Sequence, residues 1–298
     1  MGCCASSPGA DDDFDAPYAG SGGYQIRTSA TAGKDLWGKT GVVSLRGRQL
    51  SRVPSDEIGK VAERVRVLDV SENKLKELPE ELLGKLVGCR QLSASSCRLE
   101  TIPAAPLREP LGRTLRQLNL DGNRLTALPD ELGFMVKLEQ LIVCRNALQS
   151  LPEGLTALPA LVLLDVSGNQ LNTLPDGPWT CPRLQEVDAR DNCIMSVPLG
   201  MGSAHGCPLL KTLRLDGNGI TASAIPDGLL AGLPRLSTLT LHGNPVTVEE
   251  LLEVPGYEDL EKRRQAHYTK QISSNVEGMG RGLDSGASHG IDTYHRSP

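Results

Sequence analysis

Aromatic residues make up only 3% of the 298-residue chain, with two Trp and two Phe. Leu, Pro and Gly instead recur at intervals, which favours a core of many equivalent aliphatic positions over a globule built around rings. No run of 18 apolar residues exists, so a transmembrane helix is not expected. The first 26 residues hold neither Lys nor Arg nor an apolar stretch, which argues against a secretory signal. A cytosolic chain with reduced thiols follows as the expectation. The net charge is -5, from 31 basic and 36 acidic residues, and no basic block with interleaved aromatics stands out. Nucleic acid is therefore not an expected partner.

Catalytic and metal-binding arrangements are also scarce. There is no C-x-x-C spacing, no Cys/His cluster and no H-E-x-x-H pattern. Cys89, Cys181 and Cys207 read as small core hydrophobes, Cys144 as a concave-face residue and Cys193 as a turn residue. His205, His242, His267, His289 and His295 are scattered along the chain. Glycines such as those in Asp121-Gly122-Asn123 and Ser167-Gly168-Asn169 follow repeat turns and not a phosphate-cradling loop. The expectation is a non-enzyme with no metal, no cofactor and no phosphate loop.

What is abundant is periodic. The pattern L-x-L-x-x-N-x-L occurs nine times, starting at Val43, Leu68, Leu92, Leu118, Leu141, Leu164, Val187, Leu213 and Leu239. Successive offsets are 25, 24, 26, 23, 23, 23, 26 and 26 residues, the signature of a leucine-rich repeat. The alternation predicts a short strand per unit, with leucines inward and the intervening residues on a concave face. The predicted fold is an α/β leucine-rich-repeat solenoid with a curved parallel sheet of about nine repeats and disordered tails.

An Asn closes each strand, where its amide can satisfy backbone groups at the turn. The expected column is Asn73, Asn123, Asn146, Asn169, Asn192, Asn218 and Asn244, with Cys97 and Arg48 as departures. Leu-Pro-type pairs from Val53-Pro54 to Ile225-Pro226 open the convex side, where proline fixes φ and no ladder donor is needed. Insertions at Ala104–Pro110 and Gly200–Gly206 read as surface loops. Residues 34–247 form the expected solenoid, capped by Lys34 to Lys39 with Trp37 at one end. Residues 248–272 form a helical cap over the last repeat, and 1–33 and 273–298 are expected to be disordered.

Met1-Gly2-Cys3-Cys4-Ala5-Ser6 fits the myristoylation pattern, with Gly2 the acceptor and Ser6 the hydroxyl position. One acyl chain anchors only marginally, at roughly 10⁴ M⁻¹, so a second signal is needed. Asp11, Asp12, Asp13 and Asp15 would be repelled by an anionic leaflet, which leaves palmitoylation at Cys3 and Cys4. The remaining tail would be a tether on the order of 30 Å long.

The middle concave positions are Ser44, Asp69, Ser93, Asn119, Ile142, Asp165, Asp188, Arg214 and Thr240. Of these, Asp165, Asp188 and Arg214, together with Asp121, Arg190, Asp216 and His242, make the candidate partner-binding strip, densest over repeats six to eight. Carboxylates on strands about 5 Å apart repel unless paired, and Arg190 and Arg214 are placed to compensate Asp165 and Asp188.

Lys39-Thr40-Gly41-Val42-Val43, the N-terminal Met-Gly, the 23-residue units and a Gly-Tyr-Glu ending after Asn244-Pro245 resemble the leucine-rich-repeat-containing protein 57 group. The likeness spans about residues 34 to 272, and more broadly the units resemble the Ras-suppressor-like intracellular class. The resemblance implies a curved cytosolic scaffold with a lipidated Gly2. It implies no activity. Apart from the resemblance, the chain is expected to be a monomeric, membrane-tethered adaptor whose partner is a small GTPase, kinase or phosphatase. The acidic tail, the Cys3-Cys4 pair and the segment after 272 depart from the group.

Overall fold

The computed structural model describes residues 34–266 and Thr269. The acylation residues Gly2, Cys3 and Cys4, the acidic tether and the segment 273–298 lie outside the described residues. Nine three-residue strands run β1 (Val42–Ser44), β2 (Val67–Asp69), β3 (Gln91–Ser93), β4 (Gln117–Asn119), β5 (Gln140–Ile142), β6 (Leu163–Asp165), β7 (Glu186–Asp188), β8 (Thr212–Arg214) and β9 (Thr238–Thr240). They form one parallel sheet in strict chain order. Central residues align across every pair, from Val43 opposite Leu68 to Leu213 opposite Leu239.

This register follows from side-chain alternation. The central residue of each strand from Val43 to Leu213 is at most 2% exposed, so a one-residue slip would turn the whole leucine row to solvent. The next inward residue, from Leu45 through Leu120 to Leu215, is buried as well. The chain then turns sharply through a left-handed residue just before the column position. Gly122 (φ 64°) and Gly168 (φ 62°) adopt that conformation freely, whereas Arg145 (φ 51°) and Asp191 (φ 53°) adopt it despite a Cβ.

Parallel neighbours need a crossover, and the convex segments supply it. Pro54, Pro79, Pro103, Pro129, Pro152 and Pro198 each sit immediately before a helical turn with φ between -74° and -66°. The turns include α2 (Ser55–Gly59), α3 (Glu80–Leu83) and α4 (Ala104–Arg108), with 3₁₀ segments in later repeats. Proline suits this place because the first helical N–H groups have no intrahelical acceptor. The insertion at Ala104–Pro110 is not a surface loop. It folds as α4, which buries Pro106 and Leu107, because its small and apolar residues extend the convex side of the core. Gly200–Gly206 similarly begins in a 3₁₀ turn whose Met201 is fully buried.

At the N-terminal end α1 (Lys34–Thr40) places Trp37 against the core at 5% exposure. At the other end α5 (Val248–Glu253) starts with a complete capping box between Thr247 and Glu250. Residues 257–266 continue helically and seat Leu260 in the core. Arg263 ties this segment back to the carbonyl oxygens of Leu233 and Leu230. The cover is incomplete, in contrast to the sequence expectation. Leu239 and Leu241 are only partly buried, and an open cleft of about 560 Å³ separates β9 from Val248, Leu251 and Leu252. The architecture is a leucine-rich-repeat solenoid.

Candidate functional site

The outward side chains of each strand form rows across the sheet. Over repeats two to four, Asp69 and Asp121 apart, the rows are polar but uncharged. Ser71 and Ser93 hydroxyls are 2.7 Å apart, Ser71 Oγ also accepts from the Ser95 amide, and Gln91 donates to Gln117. An Arg46–Glu72 ion pair lies at the N-terminal end, and charge becomes dense from Asp121 to His242.

Several middle-row residues first serve the backbone. The Oδ1 of Asp69, Asn119, Asp165 and Asp188 each accepts the amide N–H two residues later, at 3.0 to 3.2 Å. This Asx-type turn holds the chain as it leaves the strand. Asp165 shows the consequence most clearly. Its Oδ1 also accepts the Ser167 hydroxyl at 2.7 Å, and among the described residues no Arg lies in ion-pair contact with it. The expected compensation of Asp165 by arginine is therefore corrected: its own serine does the work, being nearer than any cation on the next strand.

Asp188 is the buried anchor of the strip at 6% exposure. Arg190 grips it in a fork, with Nε at 2.9 Å from Oδ1 and Nη2 at 2.8 Å from Oδ2. Arg214, one strand on, lies 3.8 Å from the same carboxylate and bonds to Glu186. The result is an alternating network, Glu186–Arg214–Asp188–Arg190, whose two guanidinium groups face solvent. A planar fork on carboxylate is the strong form of this contact.

Two smaller pairs flank the network. Asp121 accepts Nε of Arg145 at 2.9 Å and the Cys144 thiol at 3.0 Å. Burial and the Asp121 carboxylate push the Cys144 thiol far up, so it stays protonated and poorly nucleophilic. Asp216 accepts from the Thr240 hydroxyl, from the His242 amide at 2.8 Å and from the His242 ring at 2.9 Å. Burial would raise its carboxyl pKa, but those donors outweigh burial and hold it below the usual carboxylate range. His242 itself is largely exposed.

Below the strip, six of the seven asparagines of the column make the same contacts. In Asn169, Nδ2 donates to the carbonyls of Val143, Val166 and Ser167 at 2.9 to 3.2 Å, and Oδ1 accepts the Leu148 amide at 3.0 Å. Asn73, Asn123, Asn146, Asn192 and Asn218 repeat this pattern, and Asn244 accepts the Ile220 amide and donates to two carbonyls, those of Leu215 and Leu241. The Cys97 thiol donates only long bonds of 3.4 and 3.5 Å. Cys89, Cys181 and Cys207 are buried free thiols.

Arg145 and Glu186 belong to the strip although the middle row does not contain them. Glu186 occupies the first strand position and Arg145 the left-handed turn, so the signal was the strand register, which pairs Glu186 with Thr212 beside Arg214. Among the described residues no group of three His, Cys, Asp or Glu is placed to hold a metal. No helix of theirs is long and apolar enough to cross a membrane.

Two catalytic-type strings do occur, against expectation. Residues 33–40 literally match G-x-x-x-x-G-K-T, and 286–290 match G-x-S-x-G outside the described residues. A phosphate loop needs its Gly-Lys-Thr at a helix N-terminus, where amide N–H groups converge. Here Gly38-Lys39-Thr40 ends α1, so carbonyl groups converge instead and the string cannot cradle a phosphate.

A family model described as leucine rich repeat matches residues 113–171. Two curated rice (Oryza sativa subsp. japonica) proteins are similar. Plant intracellular Ras-group-related LRR protein 7 is 40% identical over 68 residues, covering 23% of this chain and 25% of that protein. Ras-group-related LRR protein 8 is 31% identical over 113 residues, covering 36% of this chain and 28% of that protein. The match thus spans about a quarter of each relative. Among solved structures, YopM from Yersinia enterocolitica is 28% identical with a TM-score of 0.51, covering 69% of this chain and 38% of that one. A plant peptide hormone receptor, RGFR1 in complex with RGF2, is 26% identical with a TM-score of 0.55, covering 72% and 35%.

Proposed function

We infer that the chain is a non-catalytic interaction scaffold. It is held on the cytosolic face of a membrane by acylation of Gly2 with Cys3 or Cys4, and it offers its charged concave strip to a signalling protein. The observation that carries the reading is the Glu186–Arg214–Asp188–Arg190 network, in which a buried carboxylate fixes two solvent-facing guanidinium groups. Rigid, pre-oriented arginines lose little side-chain entropy on binding and match a partner's carboxylates or phosphates. A leucine-rich-repeat fold suits protein binding, and the RGFR1 structure is itself a complex with a peptide hormone. A second reading, regulation of a small GTPase, kinase or phosphatase through the same face, is favoured by the Ras-group name of the rice relatives.

The test separates the two halves of the proposal. Proximity labelling from the full chain is compared with Gly2→Ala and with the double variant Glu186→Gln/Arg214→Gln, which neutralises the exposed part of the network and leaves Asp188 with Arg190. Gly2→Ala is expected to leave the membrane fraction, and the double variant to stay there but lose labelled partners. Unchanged fractionation of Gly2→Ala refutes the anchor, and an unchanged partner set refutes the strip. Adding the purified chain to a captured partner's assay then distinguishes regulation, which changes turnover, from scaffolding, which does not.

A further inference from the structure

The residue just before each strand forms a row of its own along one edge of the sheet. In repeats two to four it is Arg66, Arg90 and Arg116, joined by backbone hydrogen bonds of 2.7 and 2.8 Å from each to the next. Three guanidinium-bearing residues on adjacent strands repel one another unless anions lie between them. Only Arg116 has a carboxylate in contact among the described residues, that of Glu139 at 2.6 Å, which is the repeat-five member of the same row and ends the run of cations. Arg66 reaches no closer acceptor than the Glu63 carbonyl at 3.4 Å, and its guanidinium lies directly over Gly88, where a Cβ would meet Nη1. These arginines, with Lys137, Val87 and Thr114, surround an open cleft of about 300 Å³. The only acid lining it is Glu63.

Apolar side chains stand exposed at the same level. Val87 and Val136 occupy equivalent places, five residues before the central leucines of β3 and β5, and are about half exposed at 52% and 49%. Near α1, Leu36 at 44% and Val42 at 42% extend the same character. In repeats six to nine the corresponding pre-strand residues are Val162, Gln185, Lys211 and Ser237, with a single cation. The counterparts of Lys137 in repeats six to nine are Ala160, Arg183, Leu209 and Arg235, and those of Val87 are prolines, so cations occur there singly, and the run of adjacent arginines beside exposed valines lies in the half of the solenoid that the N-terminal segment enters. Cations flanking exposed aliphatic groups suit one surface better than a folded protein partner, namely a lipid interface, where phosphates and acyl boundary lie at adjacent depths.

We propose that this edge, centred on Arg66, Arg90 and Lys137, is a second membrane contact that binds anionic phospholipid headgroups. It lays the solenoid on its side so that the concave strip stays open to the cytosol. The inference extends the tethered reading above, yet it concerns the folded repeats and requires no acyl chain. Its failure is therefore separable from failure of the Gly2 anchor.

The full chain, produced without acylation, is sedimented with vesicles of phosphatidylcholine alone or mixed with phosphatidylserine. Binding is expected only to the mixed vesicles and is expected to fall as salt rises. Arg66→Ala/Arg90→Ala/Lys137→Ala should weaken it on the order of a hundredfold, a factor of about five for each cation lost near an anionic surface. The charge-preserving Arg66→Lys/Arg90→Lys should bind as the parent does, which excludes a folding effect. The proposal is overturned if the parent binds neither vesicle, binds both equally, or binds as tightly after the triple substitution. It is likewise overturned if millimolar inorganic phosphate or a phosphopeptide displaces the protein from the vesicles, since the cleft would then be a site for a discrete phosphoryl group.

Discussion

Replacing Asn169 by Ala tests what the buried asparagine column contributes. The side chain makes four hydrogen bonds, three as donor and one as acceptor, in a residue 8% exposed. Its three acceptor carbonyls are not orphaned by the change. Val143 O still accepts from Asn146, Val166 O from Asn192, and Ser167 O from the Arg145 amide. The Leu148 amide, within a residue of zero exposure, has Asn169 Oδ1 as its partner and loses it. Stranding one buried N–H costs about 1–3 kcal/mol, and the lost donor bonds add roughly 1 kcal/mol together because their acceptors keep other partners. The expected loss is therefore about 2–4 kcal/mol, or roughly 4–16 °C in midpoint for a domain of this size. Thermal and urea unfolding would be followed by far-UV circular dichroism and by the fluorescence of Trp37 and Trp179, buried at the end and in the middle of the solenoid. Coincident midpoints justify a two-state free energy. A loss under about 1 kcal/mol by both probes would refute the reasoning, because it would mean the Leu148 amide finds another acceptor.

The mirror change, Cys97→Asn, replaces the weak sulfur acceptor at the third strand-to-turn junction with an amide oxygen, and should stabilise the chain by about 1 kcal/mol in the same unfolding assay. Arg190→Ala strips the fork from buried Asp188 and should cost about 1–2 kcal/mol, well below the fully buried case because the Arg190 side chain is 43% exposed. Adding Asp188→Asn should recover most of that loss in urea unfolding, since Asn119 makes the same turn without charge. Cys144 should alkylate slowly in the folded protein, and Asp121→Asn should accelerate it by roughly an order of magnitude, read site by site by mass spectrometry.

The strand register was legible because it is a period-2 pattern under strong selection by burial. Each central aliphatic residue, such as Leu118 or Leu164, has only one face on which it can be dry. The chain-order sheet follows from repeats too short to do anything but stack on their neighbours. The convex side was less legible. Ala104–Arg108 carries Pro106 and small residues that suggest a loop, yet it helps bury Leu107 and Leu111 in a longer repeat, a tertiary gain that local composition does not display. The strip was read half correctly for a related reason. Counting charges on adjacent strands treats them as free side chains, whereas Asp165 and Asp188 are first committed to the turn amides two residues on. Which carboxylate then receives an arginine depends on what the second oxygen can reach. For Asp165 that neighbourhood holds Ser167, and for Asp188 it holds Arg190 at the same repeat position.

That substitution of Arg for Ser at one repeat position also explains where exposed charge is concentrated. Ser71, Ser95 and Ser167 stand two residues beyond their middle-row partners, and each side chain or its backbone amide is absorbed by local hydrogen bonding. Arg190 satisfies the same turn through its backbone amide but has a longer arm, so the fork on Asp188 leaves part of the guanidinium in solvent. Arg214 on the next strand is drawn toward the same carboxylate and toward Glu186, which fixes a second guanidinium beside the first. A repeat frame that needs only one acceptor per turn thereby leaves the remaining side chain free to vary. In repeats seven and eight that freedom becomes two rigid cations on a floor that cannot move without breaking the asparagine column beneath it.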